Sequence, residues 1–352
     1  MSITYRAVSD PEILQRVVDL EMIVWDLDPR DAVPTNILHA MIENGTLLLV
    51  AECADQTVGL SLAFPARRGK ETYLWSHMTG VHPEHQGKGI GLQLKLLQRE
   101  WALKNGYRKI GWTFDPLQRG NANFNVHLLG ATANIYHVNY YGEMDDGINA
   151  GLPSDRLEVT WKLKGARPPI IEPTVIDDES FSLIVDTHQR PQLQVLDCQA
   201  IYLEIPANLA QLKQHDMGLA LAWRLALREA MQGLFAQGYT LVDFVHVNGR
   251  HAYVLTAPVP WYMYVVECAD GSFYTGVTLD IDRRIKQHNA GKGASYTASR
   301  RPVRLVALWR YANQSDALKA ELAFKKHSRN QKLMRLKSQD SFRDGEFIHG
   351  NL

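Results

Sequence analysis

Between Trp261 and Lys337 the chain places two aromatic triplets, Tyr262-Met263-Tyr264 and Tyr274-Thr275-Gly276, on either side of an Asp270-Gly271 pair. Aromatic residues favour pleated strands, and Asp-Gly supplies the backbone freedom of a tight reversal, so this spacing predicts a β-hairpin. A helix is expected from Asp280 to His288, then a basic loop, a strand near Val303 to Trp309, and a helix begun by Asn313 to Ser315. Arg284 and His288 stand one helical turn apart and so share a face. This order of elements is expected to fold as a small α+β domain with a three-stranded sheet.

That module is a minor part of 352 residues. At about 100 to 200 residues per domain, two or three domains are expected. A hydrophobic share of 45% with 22% charged residues is globular. No apolar run approaches the roughly 20 residues that span a bilayer, and no basic then apolar leader opens the chain, so a cytoplasmic protein without membrane partners is expected. Cys53, Cys198 and Cys268 are scattered and odd in number, which fits reduced thiols. The formal net charge of zero hides a division: residues 261–337 carry 15 Lys or Arg against 6 Asp or Glu. A basic module on an acidic body is the footprint of a polyanion-binding domain joined to something else.

Residues 1–163 alternate helical and strand patterns. A helix begins at Ser9-Asp10-Pro11 and another runs from Pro34 to Glu43; strands follow over Thr46 to Glu52, Thr57 to Phe64 and Thr72 to Val81. Next come a helix bearing Ile90, Leu94, Leu97 and Trp101 on one face, a strand from Lys109 to Phe114, and the segment Asn121 to Leu129. Gly165-Ala166-Arg167-Pro168-Pro169 and Asp177-Asp178-Glu179 mark a linker. Residues 164–258 are expected as an α/β extension, with strands at Ala200 to Ile205, Thr240 to Val247 and Ala252 to Thr256 and a long helix from Asp216 to Gln237. The basic module then occupies 259–337, and 338–352 is expected as a polar, frayed tail.

After the strand ending at Val81, Gln86-Gly87-Lys88-Gly89-Ile90-Gly91 opens directly into the amphipathic helix. Closely approaching backbone and unpaired N–H groups at a helix start make an anion cradle suited to a pyrophosphate. The pattern Gln86-x-x-Gly89-x-Gly91 resembles the coenzyme-A-binding turn of the GNAT acyltransferase superfamily, and the order of elements through residue 163 is similar to that mixed-sheet fold. The middle segment resembles the carboxy-terminal extension of one bacterial GNAT subgroup. The resemblance implies acetyl-CoA or another acyl-CoA as co-substrate, held by Val81, Gln86, Gly87, Lys88, Gly89, Ile90 and Gly91, with Asn121, Asn123 and Asn125 near the pantetheine arm. His77, whose ordinary pKa suits proton transfer near neutrality, is the candidate general base, with Trp75 and Asp115 on the same cleft. The chain lacks the tyrosine that many members place before the glycine matching Gly130; His127, Tyr136 and Tyr140 are the substitutes considered. Arg224 and Arg228, at i and i+4, are candidates to grip a carboxylate on the acceptor.

The anchors in 261–337 resemble the GIY-YIG nuclease family, of the small bacterial and structure-specific endonuclease type. Cleaving a phosphodiester needs an activated water, neutralisation of the transition state's charge, and help for the leaving oxygen. The resemblance implies Glu321 as the single carboxylate for Mg²⁺ or Mn²⁺, Arg284 on the scissile phosphate, His288 on the same face, and Tyr264 or Tyr274 orienting or deprotonating the water. Lys332 stands where many relatives carry asparagine. Lys292, Arg300, Arg301 and Arg304 are expected to contact phosphates, and Tyr296 to stack on an unpaired base.

The expectation is a multidomain α/β and α+β chain that fuses two enzymes. One half is an N-acyltransferase acting on a small or protein amine; the other is a metal-dependent endonuclease acting on DNA, branched or flapped structures included. Two alternatives stay open: an acyltransferase tethered to nucleic acid by a module that only binds, and a nuclease regulated by a non-catalytic acyl-CoA sensor.

Overall fold

The computed structural model describes residues 2–144, 150–165, 181–185, 190–194, 198–338 and 340–350. Apart from Gly165, the expected linker residues lie outside them. The chain forms two compact units, Met1–Ala257 and Pro258–Leu352.

The first unit begins with β1 (Ile3–Ala7), α1 (Pro11–Trp25), α2 (Thr35–Glu43), β2 (Leu47–Cys53), β3 (Gln56–Arg68) and β4 (Glu71–Val81). It continues through α3 (Ile90–Lys104), β5 (Lys109–Phe114), the short α4 (Arg119–Ala122), β6 (Thr132–His137) and β7 (Arg156–Lys162). Asp10 caps α1 by accepting from the Glu12 N–H at 2.9 Å, with Pro11 preset for the first turn. Leu14, Val17 and Leu38 pack with Leu60 and Leu62 of β3, while Ile90 and Leu94 of α3 pack with Leu47 and Leu49 of β2. Alternating side chains therefore feed a helix layer on each face of the sheet.

Inside that second layer Lys95 is buried, its Nζ 2.6 Å from Ser76 Oγ and 3.9 Å from the centre of the Trp112 ring. Burial pushes its pKa down to about 7.

The remaining elements of this unit are β8 (Phe181–Val185), β9 (Pro191–Leu193), β10 (Ala200–Ile205), α5 (Leu209–His215), α6 (Met217–Ala236), β11 (Thr240–Val247) and β12 (Arg250–Thr256). Among the described residues all its strands form one sheet, ordered β1-β2-β3-β4-β5-β7-β6-β11-β12-β10-β8-β9. The extension joins through β11 and β6, where Leu241 pairs with Ala133.

A buried ion pair locks α6 to the loop after β5: Arg224 donates to Asp115 at 2.7 and 2.8 Å, and both are buried. Arg228 donates to Asp155 at 2.8 and 2.9 Å. The two arginines therefore brace the fold rather than reach for an acceptor, and Asp115 leaves the list of cleft residues.

The second unit holds β13 (Trp261–Cys268), β14 (Phe273–Thr278), α7 (Ile281–Asn289), α8 (Ser295–Ala298), β15 (Val303–Tyr311), α9 (Gln314–Lys325), α10 (Arg329–Ser338) and β16 (Glu346–Gly350). Its antiparallel sheet runs β14-β13-β15-β16. The three expected strands thus gain a fourth from the segment expected to fray. That segment is anchored because Phe342 is buried and accepts, at its carbonyl, the Tyr311 hydroxyl at 2.7 Å, while the Asp340 carbonyl accepts from Trp309 Nε1 at 2.9 Å. Aromatic residues on β15 supply the polar handles that the composition of the tail conceals.

Candidate functional site

In the second unit the hairpin and α7 bring four of the expected residues together. Asp280 caps α7 by accepting from the Arg283 N–H at 2.9 Å, which starts the helix where Arg284 and His288 both face β13. Thr297 Oγ1 donates to the Ala294 carbonyl at 3.0 Å, so toward His288 Nδ1, at 2.7 Å, it acts as acceptor. Burial first, and Arg284 second, hold the His288 pKa below its ordinary value, so the ring is neutral and its Nε2 is the acceptor. Tyr264 donates its hydroxyl to that Nε2 at 2.8 Å and accepts from Arg284 Nε at 3.1 Å.

Burial pushes the Tyr264 pKa up to about 12, against the opposing pull of Arg284. The Tyr264 hydroxyl in turn leads the influences that hold the Arg284 pKa above its usual value. Gln287 steadies the guanidinium from the other side, accepting from Nη1 at 3.2 Å. The arrangement depends on Gly276, where a Cβ would lie 2.5 Å from the Tyr264 hydroxyl, and on Gly293, where it would collide with the His288 ring.

Tyr274 lies half-buried on the adjacent strand, its ring 5.2 Å from that of His288 and 6.0 Å from that of Tyr296. Glu321 on α9 is close enough to act electrostatically on Tyr264. Its Oε1 accepts from Lys325 Nζ at 2.6 Å. Among the described residues no three His, Cys, Asp or Glu side chains converge to form an all-protein metal cage. A single carboxylate is a donor set that would suit a hydrated hard cation keeping most of its waters.

Lys332 on α10 makes no hydrogen bond or ion pair to this cluster among the described residues. Of the expected phosphate contacts, Arg300 donates to Asp270 at 3.0 Å and stacks 4.3 Å from the Tyr296 ring centre, and Arg304 donates to Glu267 at 2.8 Å. Lys292 and Arg301 are exposed. Gln287 and Thr297 are contributors that sequence reasoning missed, whereas the pairing of Glu321 with Lys325 is the one their i, i+4 spacing allows. Helical spacing hinted at Gln287, three residues from Arg284, and nothing in the sequence pointed to Thr297.

In the first unit, Gly87 and Gly89 adopt positive φ, +72° and +79°, in open space. Their conformation is what excludes other residues. Gly91 needs neither; its missing side chain bares the start of α3, which has no side-chain cap. Gln86 ties the loop down by donating to the Val81 carbonyl at 3.1 Å, and Lys88 donates to the Glu84 carbonyl at 2.8 Å. The start of α3 at Gly89 carries no side-chain cap, as an anion cradle at a helix start would require.

Beside it, β4 and β5 pair in parallel only at Leu74↔Ile110 and Trp75↔Gly111, then splay apart. His77 sits at a bulge, because Met78 pairs with Leu62 and Ser76 with Ala63. It is exposed, and desolvation by its neighbours still lowers its pKa, leaving a neutral imidazole. Asn121 is exposed on α4, whereas Asn125 is buried and accepts from Trp112 Nε1 at 3.0 Å. Of the residues weighed for the missing tyrosine, Tyr136 is buried and donates to Asp155 at 2.7 Å, and His127 Nδ1 lies 3.0 Å from Asp243. Tyr140 remains exposed, its ring 4.7 Å from that of His137.

Glu158 is a missed residue. Its strand position opposite Thr113 puts it beside the splay, where desolvation is outweighed by Arg68, at 2.8 Å, and His137, at 2.8 Å, so its carboxyl stays below the usual range.

The family model for the GIY-YIG catalytic domain matches residues 260–334, and that for the acetyltransferase (GNAT) family matches residues 14–129. The UPF0213 protein of Cupriavidus pinatubonensis (strain JMP 134) is 53% identical over 73 residues, which are 21% of this chain and 81% of that protein. A UPF0213 protein of Halalkalibacterium halodurans is 52% identical over 71 residues, 20% of this chain and 76% of its own. Among solved structures, yncA of Salmonella typhimurium with its cofactor acetyl-CoA shares 20% identity with a TM-score of 0.39, covering 49% of this chain and 99% of that one. An N-acetyltransferase from Staphylococcus aureus Mu50 shares 15% identity with a TM-score of 0.38, covering 47% and 100%.

Proposed function

From the premise that the chain belongs to the GIY-YIG family through residues 260–334 and carries a GNAT acetyltransferase domain over residues 14–129, we propose a bifunctional protein. In this proposal the second unit hydrolyses phosphodiester bonds in DNA, and the first transfers an acyl group from acyl-CoA to an amine. The single observation that carries the nuclease reading is the chain of hydrogen bonds from Ala294 through Thr297, His288 and Tyr264 to Arg284.

That chain supports the following division of roles. Tyr264 is fully buried and already bonded, so Tyr264 and His288 are positioning residues that fix the guanidinium of Arg284 against a scissile phosphate. Tyr274, on the accessible side of the same hairpin, orients the attacking water. Glu321 would hold a Mg²⁺ or Mn²⁺ ion, which lowers the pKa of bound water and neutralises charge on the phosphate. Tyr296, Arg300, Arg301 and Lys292 would receive the strand, and Lys332 keeps at most an outer electrostatic part.

In the first unit the α3 start and the Gln86 to Gly91 turn hold the pyrophosphate, with Val81 and Asn121 along the donor. The splay of β4 and β5 receives the thioester. His77, neutral at pH 7, takes a proton from the acceptor amine. A second reading, in which this unit only senses acyl-CoA, is favoured by the engagement of His127 and Tyr136 with carboxylates. A cytoplasmic location suits both readings.

One experiment with two readouts tests the proposal. The wild type and Glu321→Gln are incubated with flapped, branched and duplex DNA plus Mg²⁺ or Mn²⁺, and CoA release from acetyl-CoA is followed with a panel of amines. Cleavage by the wild type, lost in Glu321→Gln with DNA binding kept, is expected; binding without cleavage in both sinks the nuclease reading. Steady CoA release is expected, and its absence across the panel favours the sensor.

A further inference from the structure

The face of α9 away from Glu321 carries a different chemistry. Glu321 and Lys325 make one stripe on that helix, and Lys319, Leu322 and Lys326 make another, roughly a third of a turn around. The second stripe borders a cleft of about 640 Å³ closed by Arg335 of α10 and by Phe342 and Arg343 in the turn before β16. Four cations line it and, among the described residues, no carboxylate does. Lys319 is held by Asp316 at 2.8 Å, and Arg335 lies 4.8 Å from the Phe342 ring centre. The side chains of Lys326 and Arg343 make no hydrogen bond or ion pair among the described residues.

His327 also lines the cleft, and its buried Nδ1 has no hydrogen-bond partner among the described residues. Leu322, 60% exposed, and Phe342 give the cleft an apolar wall against which a sugar or base can lie. Phe342 and Arg343 stand beyond residue 334, where the family match ends, so the site is built partly by this chain's own carboxy-terminal segment.

We propose that this cleft is a second phosphate-binding site, which takes the sugar-phosphate backbone of a nucleic-acid strand leaving the catalytic face. The inference rests on the nucleic-acid reading of the second unit and extends it. It predicts that two of the phosphate contacts of the bound strand are made by Lys326 and Arg343.

The test uses the full chain with a fluorescein-labelled DNA duplex in EDTA, over a range of salt concentrations. Each lost contact should reduce the slope of log affinity against log salt by about 0.9, so Lys326→Ala with Arg343→Ala should lower it by roughly 1.8. The melting temperature checks that the double variant folds, and Lys326→Arg with Arg343→Lys should restore the slope. An unchanged slope in the double alanine variant overturns the proposal. So does binding of inorganic phosphate that the double variant loses while its DNA slope is unchanged, since the cleft would then be a small-anion site. Cleavage with Mg²⁺ is scored separately: a wild type that binds without cutting sinks the nuclease reading and leaves the cleft standing, whereas a wild type that cuts, beside a double variant of unaltered slope, sinks the cleft alone.

Discussion

A methyl group at Gly276 would lie 2.5 Å from the Tyr264 hydroxyl and 2.8 Å from its Cζ, inside contact distance for both. Tyr264 could not stay bonded to both His288 and Arg284. Gly276→Ala should therefore lower DNA cleavage by about a hundredfold, the order expected when a reacting group shifts by roughly 1 Å. Single-turnover cleavage against a thermal melt checks this; full activity in a folded variant would show that Tyr264 does not hold Arg284 in place. Tyr264, Tyr274, Arg284, His288 and Glu321 are named through the resemblance to the GIY-YIG family that their order and spacing carry. The tautomer of His288 could not be read that way, because Thr297 reaches it only through the turn between α7 and α8. Arg224 and Arg228 misled for a related reason, since helical spacing shows which residues share a face and never what lies opposite.

Among elements, the turn-and-helix at Gln86 to Gly91 and the hairpin at Asp270-Gly271 announce themselves through glycine and capping chemistry. Strands β10 and β11 fall where period and composition place them. β7 hides better: Glu158 interrupts its apolar pattern, and a buried carboxylate is tolerable there only because Arg68 and His137 meet it from other strands. β16 hides best, since a short polar segment gains its order from Phe342 and from the aromatic side chains of β15. Truncation after Ser338 should remove that contact and cost the second unit about 2–4 kcal/mol, on the scale of a lost buried aromatic side chain. Urea unfolding of the truncated chain measures it, and an unchanged midpoint would show that the segment is ornamental.

On the scale of the whole molecule, the two units carry different titrating groups in their interiors. Lys95 in the first has a folded pKa of about 7 against 10.5 for a free lysine, so between those values the unfolded state binds more protons and stability rises with pH. The cost of burying that amine is full below about pH 7 and fades toward pH 10. His288 in the second is lowered from 6.5, so its neutral form favours the fold above that value and the benefit is lost as pH falls below it. Calorimetry should show the first unit's transition climbing from pH 7 to 9, and Lys95→Met should abolish the climb. A slope that survives the substitution would place its origin elsewhere. The charge division between the units was plain from composition; the interior lysine was not, because Lys95 looks in sequence like one more solvated residue on an amphipathic helix.

The seam where β11 meets β6 sets a limit on how far this architecture can be pared down. A shortened version ending near residue 163 would uncover the hydrogen-bonding rim of β6, inviting other chains to add to it. It would also remove Arg224 from Asp115, the charge-assisted pair at 2.7 Å that ties α6 to the loop after β5. Anyone harvesting the donor-binding portion as a standalone reagent should carry the following hundred or so residues with it.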